Sequence, residues 1–197
     1  MTKTKREDPE LSRRRFIQGA LGATAGIGAL SFVSVLGGVK PANVITPNKE
    51  PPAKGDLFVY AAGNKAGQPV PLSDVNDKGI IQAWPKGKVV KDGLNLNMVI
   101  LARFKHYGPP TVMADLSQEV VCYSAVCTHL CCLPSWNASD PGTLLCPCHG
   151  SRYNLRDGAK VFAGPAPRPL PQMPIKVKNG QIYCDGPFNA PPGCSIT

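Results

Sequence analysis

Two short stretches decide what this chain folds around: Cys127-Thr-His129-Leu-Cys-Cys132 and, after thirteen intervening residues, Cys146-Pro-Cys148-His149-Gly-Ser151. Each stretch offers a thiol and an imidazole within three residues of each other, plus a further cysteine. Sulfur and nitrogen donors on paired loops are typical of a metal centre with mixed ligands. Zinc could use the same donors, but zinc modules group like ligands, whereas here the unlike ligands are interleaved.

A binuclear iron cluster explains the interleaving, because each stretch then reaches both irons, one through sulfur and one through nitrogen. The two stretches resemble the Rieske pattern C-T-H-x-G-C … C-P-C-H-x-S of cytochrome bc and b6f complexes. The resemblance implies one [2Fe–2S] cluster and divides its ligands between the two irons as follows: Cys127 and Cys146, His129 and His149. It also implies a disulfide that ties the two stretches together: Cys132–Cys148.

Cys131 departs from that pattern, which has glycine at this position. A glycine there usually serves a close backbone approach or a positive φ, so the departure bears on the loop geometry. It also leaves two adjacent candidates for the disulfide to Cys148. Spacing favours Cys132 over Cys131 as the bonded residue.

Further residues take their expected roles from the resemblance. The hydroxyls of Ser151 and Tyr153 match donors that reach cluster sulfurs and raise the reduction potential, because they stabilise the added negative charge. His149 is expected to contact quinol, and Leu130 to help dock the protein on cytochrome b. The stretch Gly164-Pro165-Ala166-Pro167 resembles the proline loop that shields the cluster. The alternatives are local packing for Tyr153 and Leu130 and metal binding alone for His149.

The chain has eight cysteines in 197 residues, which is many for a protein of a reducing cytosol. Two of them are assigned to the cluster, so six remain for disulfides, and this indicates an oxidising compartment. Cys184 and Cys194 flank a nine-residue segment near the C-terminus. A disulfide between them, which would staple the C-terminal tail, is the second candidate bond.

The net charge of +9 invites a comparison with nucleic-acid-binding proteins. Six Lys and Arg residues stand against three acidic residues before position 40, and sixteen stand against ten from Lys40 onward. The later excess is scattered, without a basic helix or a basic stripe interleaved with aromatic residues. A solvated surface explains it better than a nucleic-acid partner.

The N-terminal region, residues 1–39, contains a candidate export signal and a candidate membrane anchor. The segment Ser12-Arg13-Arg14-Arg15-Phe16-Ile17-Gln18 looks like a twin-arginine export signal; an ordinary basic flank of a membrane helix is the alternative. Phe16 to Val39 runs for 24 residues without a charge. At about 1.5 Å per residue, such a helix can cross a hydrocarbon core of roughly 30 Å. We expect a retained, single transmembrane helix with its N-terminus in the cytoplasm and the remaining chain on the periplasmic side.

Residues 40–56 read as a linker, because Pro41, Pro47, Pro51 and Pro52 punctuate a polar stretch. Proline removes backbone donors and resists helix, so this segment is expected to be extended and semi-rigid. The resemblance adds the expectation of a hinge that lets the cluster-bearing domain move between two partners. The sequence supports the linker and is silent on the movement.

Residues 57–197 are predicted to be all-β, with short apolar runs separated by turn residues. The strand candidates are Leu57–Tyr60, Ile80–Trp84, Met98–Phe104, Thr111–Ala114 and Val120–Tyr123. Asp157-Gly158 and Asn179-Gly180 each predict a hairpin. Many short strands imply a sandwich or a small barrel. This matches the Rieske fold, in which a smaller cluster-binding subdomain, here residues 122–167, is inserted into the β base.

The leading functional hypothesis is the Rieske subunit of a quinol–cytochrome c oxidoreductase, an electron-transfer subunit that needs its complex for catalysis. By resemblance its partners are quinol, cytochrome b, a c-type cytochrome and membrane lipid. The first alternative is the small Rieske subunit of an arsenite-oxidase-type molybdoenzyme. A ring-hydroxylating-oxygenase ferredoxin conflicts with the export signal and with the expected disulfide between the stretches. A zinc module without redox function is the remaining alternative.

Overall fold

The computed structural model describes residues 50–89, 95–108, 115 and 117–194, all of which belong to the compact unit Ile45–Thr197. The predicted export signal and anchor, most of the linker and the strand candidate Thr111–Ala114 lie outside these residues. Across the described ranges there is no α-helix, only a short 3-10 helix, Leu72–Asp74. No helix within them is long and apolar enough to cross a membrane.

Ten strands form three antiparallel sheets in the described part of the chain. The strands, in chain order, are β1 Phe58–Tyr60, β2 Ile81–Pro85, β3 Val99–Arg103, β4 Val120–Ser124, β5 Ser135–Trp136, β6 Thr143–Leu145, β7 Arg152–Asn154, β8 Lys160–Ala163, β9 Ile175–Lys178 and β10 Gln181–Cys184. The sheets have the orders β1-β2-β3-β4, β5-β6-β7-β8 and β10-β9. The prediction of an all-β fold is therefore confirmed for the described residues.

The central sheet, β1-β2-β3-β4, is buried on both faces. Ile100 and Tyr123 belong to a core that includes Tyr153 of the second sheet, whereas Leu101 on the opposite face shares a core with Ile182 of β10. Successive side chains of a strand point to opposite faces, so a strand buried on both sides carries a continuous apolar run. This explains why β3 and β4 could be read from the sequence to within one or two residues.

The β9–β10 hairpin turns at Asn179-Gly180, with φ angles of 51° and 70°. Positive φ at both turn residues is the requirement of a type I′ turn, which Asn-Gly satisfies with little strain. The predicted hairpin is confirmed. An isolated bridge between Leu57 and Tyr183 places this hairpin beside β1.

The second sheet, β5-β6-β7-β8, forms the smaller subdomain, and most of it escaped prediction. Its strands β5, β6 and β7 have only two or three residues each, too few for a periodic pattern to emerge. The hairpin signal Asp157-Gly158 does mark the β7–β8 connection, which spans five residues rather than two.

Two contacts tie the subdomain to the central sheet. The buried hydroxyl of Tyr123 donates a hydrogen bond to the carbonyl of Leu155 at 2.9 Å. The rings of Phe104 and Trp136 stack with centroids 6.4 Å apart. The subdomain is therefore held by polar and apolar contacts alike, and the loops that leave β4 and β6 meet at its end.

Candidate metal centre

Loop 1, residues Cys127–Cys132, follows β4 and is closed by its own backbone. The amide of Cys127 donates to the carbonyl of Cys132 at 2.8 Å, and the amide of Cys131 donates to the carbonyl of Cys127 at 3.1 Å. Cys131 has a φ of 58°, the left-handed region that glycine favours. The residue that replaces the pattern's glycine therefore keeps a glycine-like conformation.

Loop 2, residues Cys146–Ser151, connects β6 to β7 and has the same hydrogen bonds. The amide of Cys146 donates to the carbonyl of Ser151 at 2.8 Å, and the amide of Gly150 donates to the carbonyl of Cys146 at 3.0 Å. Gly150 has a φ of 73°. The fourth residue after the first cysteine is thus left-handed in both loops, and the two loops present their side chains in the same way.

The two unbonded thiols of these loops lie inside the protein. Cys127 is 0% exposed and Cys146 is 1% exposed. Burial raises the pKa of the Cys146 thiol, and the neighbouring Cys127 thiol raises that pKa further. Two buried thiols side by side ionise together only when a cation compensates their charge, as a metal ion does.

The two imidazoles converge at the surface. The Nδ1 atoms of His129 and His149 are 3.2 Å apart, and the two rings meet edge to face with centroids 4.6 Å apart. Nitrogens bound to one tetrahedral metal ion at about 2.0–2.1 Å lie about 3.3–3.4 Å from each other. His149 is exposed and His129 half-buried, so the nitrogen side of the centre faces solvent.

A disulfide, Cys132–Cys148, joins the two loops as the sequence led us to expect. The Sγ atoms of Cys132, Cys146 and Cys148 lie within 4.8 Å of one another. Because two of these sulfurs are bonded to each other, only Cys146 retains a thiol. The donor set is therefore two thiols inside and two imidazoles outside, which fits a [2Fe–2S] cluster with unlike irons better than a single zinc ion.

The hydroxyl of Tyr153 lies against loop 1. It is 3.1 Å from the Sγ atom of Cys127, and it accepts a hydrogen bond from the amide of Thr128 at 3.2 Å. Burial raises the pKa of the Tyr153 phenol well above its ordinary value. The phenol therefore stays protonated and can donate its hydrogen to the cysteine sulfur, the contact expected of this residue.

Ser151 contacts the proline loop, residues Gly164, Pro165, Ala166 and Pro167, which follows β8. The buried hydroxyl oxygen of Ser151 accepts a hydrogen bond from the amide of Ala166 at 3.1 Å, which leaves its hydrogen available for another acceptor. Gly164 has a φ of 85°, and a Cβ atom there would lie 2.7 Å from the amide nitrogen of Ser151. Only glycine allows the proline loop to pass this close to loop 2.

The expected second disulfide between Cys184 and Cys194 is wrong. Cys194 bonds to Cys131 instead, with their Cα atoms 5.0 Å apart. Cys184 lies in β10, where its buried thiol donates to the carbonyl of Gly186 at 3.0 Å. The tail leaves that strand and crosses to loop 1, so the two cysteines that are close in sequence are directed to different neighbours.

Sequence reasoning also missed Arg168, which follows the proline loop. Its Nη2 atom donates to the carbonyls of Pro191 and Gly193, at 2.8 and 2.6 Å. Its own carbonyl accepts a hydrogen bond from the hydroxyl of Thr128 at 2.7 Å. The one sequence signal for a contact between the tail and loop 1 was Cys131, a cysteine at the glycine position of loop 1. Spacing along the chain did not identify its partner, and so it did not lead to Arg168.

Leu130 lies at the tip of loop 1 with 60% of its surface exposed. Among the described residues, only Phe162 is another large hydrophobic side chain with comparable exposure. An apolar side chain between two metal-binding candidates and open to solvent is not used for packing within this domain. The role that the sequence suggested for Leu130, contact with a partner, stays a prediction.

Comparisons with known proteins agree with this geometry. Residues 96–174 match the family model of the Rieske [2Fe-2S] domain. The chain is 43% identical over 149 residues to the cytochrome bc1 complex Rieske iron-sulfur subunit of Streptomyces lividans, covering 72% of this chain and 86% of the relative. It is 34% identical over 177 residues to the cytochrome b6-f complex iron-sulfur subunit of Chlorobaculum tepidum, covering 88% of this chain and 75% of the relative.

A third relative matches over a shorter stretch. The putative respiratory nitrate reductase subunit Rieske of Haloferax mediterranei is 50% identical over 72 residues, which cover 36% of this chain and 32% of the relative. The chain spans about a third of the length of some curated relatives that it matches. The two long matches, the family model and the convergent cysteines and histidines lead to one conclusion: the chain belongs to the Rieske [2Fe–2S] protein family.

Proposed function

We propose that this protein is the membrane-anchored electron-transfer subunit of a quinol–cytochrome c oxidoreductase, a cytochrome bc complex. The relatives that it matches over most of their length are named as iron–sulfur subunits of cytochrome bc1 and b6-f complexes. These names favour a bc-type complex over the arsenite-oxidase-type alternative.

The placement of the four side chains supports the ligand assignment. Cys127 and Cys146 would hold one iron through sulfur, and His129 and His149 would hold the other through Nδ1. When bound, the cluster supplies a one-electron acceptor whose change of charge couples electron uptake to proton uptake at the imidazoles. Side chains of this protein would bind the quinol and the partner proteins.

The observation that carries the proposal is the division of the centre into a buried sulfur side and an exposed nitrogen side. Since Nδ1 of His149 faces Nδ1 of His129, the outer ring nitrogen, Nε2, is left for a partner. An exposed imidazole nitrogen can accept a hydrogen bond from a quinol hydroxyl and take up its proton. We infer that His149 makes this contact and positions the quinol for oxidation.

Partner docking is proposed at the rim of the same surface. Leu130 is exposed next to His129, and Pro165 and Pro167 are exposed on the proline loop, which contacts Ser151 of loop 2. These side chains offer an apolar contact for cytochrome b. A c-type cytochrome would accept the electron at the same exposed edge. The N-terminal segment would keep the protein in the membrane, with its cluster domain on the periplasmic side.

Purification of the tagged full-length protein from detergent-solubilised membranes tests this function. Cytochrome b and a c-type cytochrome are expected to co-purify, with quinol-dependent cytochrome c reduction in the isolated complex. A molybdopterin subunit in place of cytochrome b would overturn the proposal. Iron and acid-labile sulfide are expected in equal amounts, and zinc without sulfide would overturn the ligand assignment as well.

Replacing Tyr153 by phenylalanine sharpens the assignment on the sulfur side. The change removes a donor next to Cys127, so the reduction potential is expected to fall, because less of the added charge is stabilised. Tyr183→Phe is the matched control, since that hydroxyl bonds the side chain of Gln181 on β10. Redox titration of the cluster-loaded variants followed by electron paramagnetic resonance measures both. An unchanged potential in Tyr153→Phe would contradict the donor role.

A further inference from the structure

The C-terminal tail, residues 185–194, seats against loop 1 at a fitted position. Gly193 is buried with a φ of 83°, and a Cβ atom there would lie 2.6 Å from Leu96 Cδ2 and 3.1 Å from the sulfur of Cys131. The next residue forms the Cys131–Cys194 disulfide. The tail thus reaches loop 1 at a position where the backbone conformation and the close neighbours favour glycine, and the next residue bonds covalently to loop 1.

Arg168 joins the same two elements without a covalent bond. Its guanidinium donates to two carbonyls of the tail, those of Pro191 and Gly193. Its main-chain carbonyl accepts the hydroxyl of Thr128, the residue between the candidate ligands of loop 1. Loop 1 is therefore held to the tail twice, at Thr128 through Arg168 and at Cys131 through the disulfide.

The charge of Arg168 is poorly compensated. Its Nη1 atom is buried and has no hydrogen-bond partner among the residues that the structure describes. The ion pairs found within those residues involve lysines only, so no carboxylate faces this guanidinium at short range. A partly buried cation without a short-range counter-ion favours negative charge in its surroundings, and the effect is strongest where water is excluded, as it is at Nη1.

We propose that Arg168 and Cys194 are positioning residues of the metal centre, which clamp loop 1 to the C-terminal tail. The clamp holds Cys131 in its left-handed conformation and keeps the His129-bearing loop in place. Arg168 also lends its unpaired positive charge to that loop, which stabilises the reduced cluster and raises its potential. The clamp involves the bound cluster and no partner subunit, so its test is independent of the quinol proposal.

The test uses the full-length, cluster-loaded protein, four single variants and the double variant Arg168→Gln/Cys194→Ser. Cys194→Ser removes the covalent half of the clamp, Arg168→Gln removes the charge, and Arg168→Lys keeps the charge with fewer donors. Arg103→Gln is the matched control, because Arg103 also clamps a carbonyl, that of Gln118 at 3.1 Å. It pairs with Val120, at the end of β4 remote from loop 1. Two quantities are measured: the reduction potential and the rate of cluster loss into a chelator.

We expect Arg168→Gln to lower the potential and Arg168→Lys to restore most of it. Cys194→Ser and Arg168→Gln should each release the cluster several-fold faster than the unaltered protein. The double variant should be little worse than the more severe single variant, because both changes act through one tail. Arg103→Gln should match the unaltered protein in both measurements.

Three results would overturn the clamp: an unchanged potential in Arg168→Gln, an unchanged release rate in Cys194→Ser, or additive effects in the double variant. If Cys194→Ser alone fails to load the cluster, the variant Cys131→Gly/Cys194→Ser replaces it. That variant removes the same bond while giving loop 1 the residue that its conformation favours. Recovered cluster loading by this variant would support the covalent half of the clamp, because glycine adopts the conformation without the bond. A continued failure to load would reject the claim that the bond serves to hold this conformation.

Discussion

Loops 1 and 2 have the same backbone conformation but place different residues at its left-handed position. Both are closed by the same pair of hydrogen bonds, and both place a left-handed residue four positions after their first cysteine. In loop 2 that residue is Gly150, with nothing within 4 Å of where a Cβ would be. In loop 1 it is Cys131, bonded to the tail. The left-handed residue of loop 2 is favoured by the intrinsic preference of glycine, whereas that of loop 1 is held by a disulfide.

A comparison of free energies explains why loop 1 tolerates a cysteine at the left-handed position. A non-glycine residue in the left-handed region costs about 1–2 kcal/mol. A disulfide between residues 63 apart contributes about 2–4 kcal/mol, mainly by restricting the unfolded chain. The cross-link therefore outweighs the strain of Cys131. Loop 1 depends on the tail for its left-handed residue, whereas loop 2, although joined to loop 1 by Cys132–Cys148, has a glycine that adopts this conformation without a cross-link of its own.

The largest expected effect tests how closely the proline loop supports loop 2. Gly164→Ala adds a methyl group 2.7 Å from the amide nitrogen of Ser151, at a φ of 85°. We expect a loss of about 3–5 kcal/mol, since steric overlap adds to the cost of the backbone conformation. Urea unfolding of the oxidised, cluster-loaded protein measures it.

Gly87→Ala is the control for that variant. Gly87 has a similar φ of 80° but has nothing within 4 Å of its Cβ position. It should lose only about 1–2 kcal/mol, the cost of the conformation alone. Equal losses in the two variants would mean that the proline loop does not press on loop 2.

A smaller effect is expected at Gly150, the residue that shapes loop 2. Gly150→Ala meets no neighbour within 4 Å, so the loss should be about 1–2 kcal/mol from its φ of 73° alone. Gly150→Asn should lose less, because asparagine adopts this region more readily than alanine. The same unfolding measurement compares the two. If alanine were as stable as glycine, loop 2 would not rely on intrinsic preference.

The smallest effect has the opposite sign and tests loop 1. In a Cys194→Ser background, Cys131→Gly should stabilise the protein by about 0.5–1 kcal/mol. Relief of the left-handed strain exceeds the extra flexibility that glycine gives the unfolded chain. Thermal unfolding of the single and double variants gives the difference. A double variant less stable than Cys194→Ser would show that Cys131 is unstrained, and the contrast between the loops would disappear.

The donor set and the long strands were readable from the sequence because their information is local. His129 and His149 each stand within three residues of the cysteine of their own loop, and one spacing rule covers both. The hairpin at Asn179-Gly180 could be predicted for the same reason, because the turn depends on the φ angles of two adjacent residues. β9 could be predicted from the alternation of its own residues, and β3 and β4 from their continuous apolar runs.

Only the tertiary structure decided what lies beyond such local rules. The strands of the small sheet are too short to show a period, and they exist because neighbours supply their hydrogen bonds. The partner of Cys131 was not deducible, because spacing along the chain does not determine which distant cysteines meet. Arg168 acquires its role in the same way. Its sequence position beside the proline loop gives no sign that a tail 23 residues away folds back onto its guanidinium.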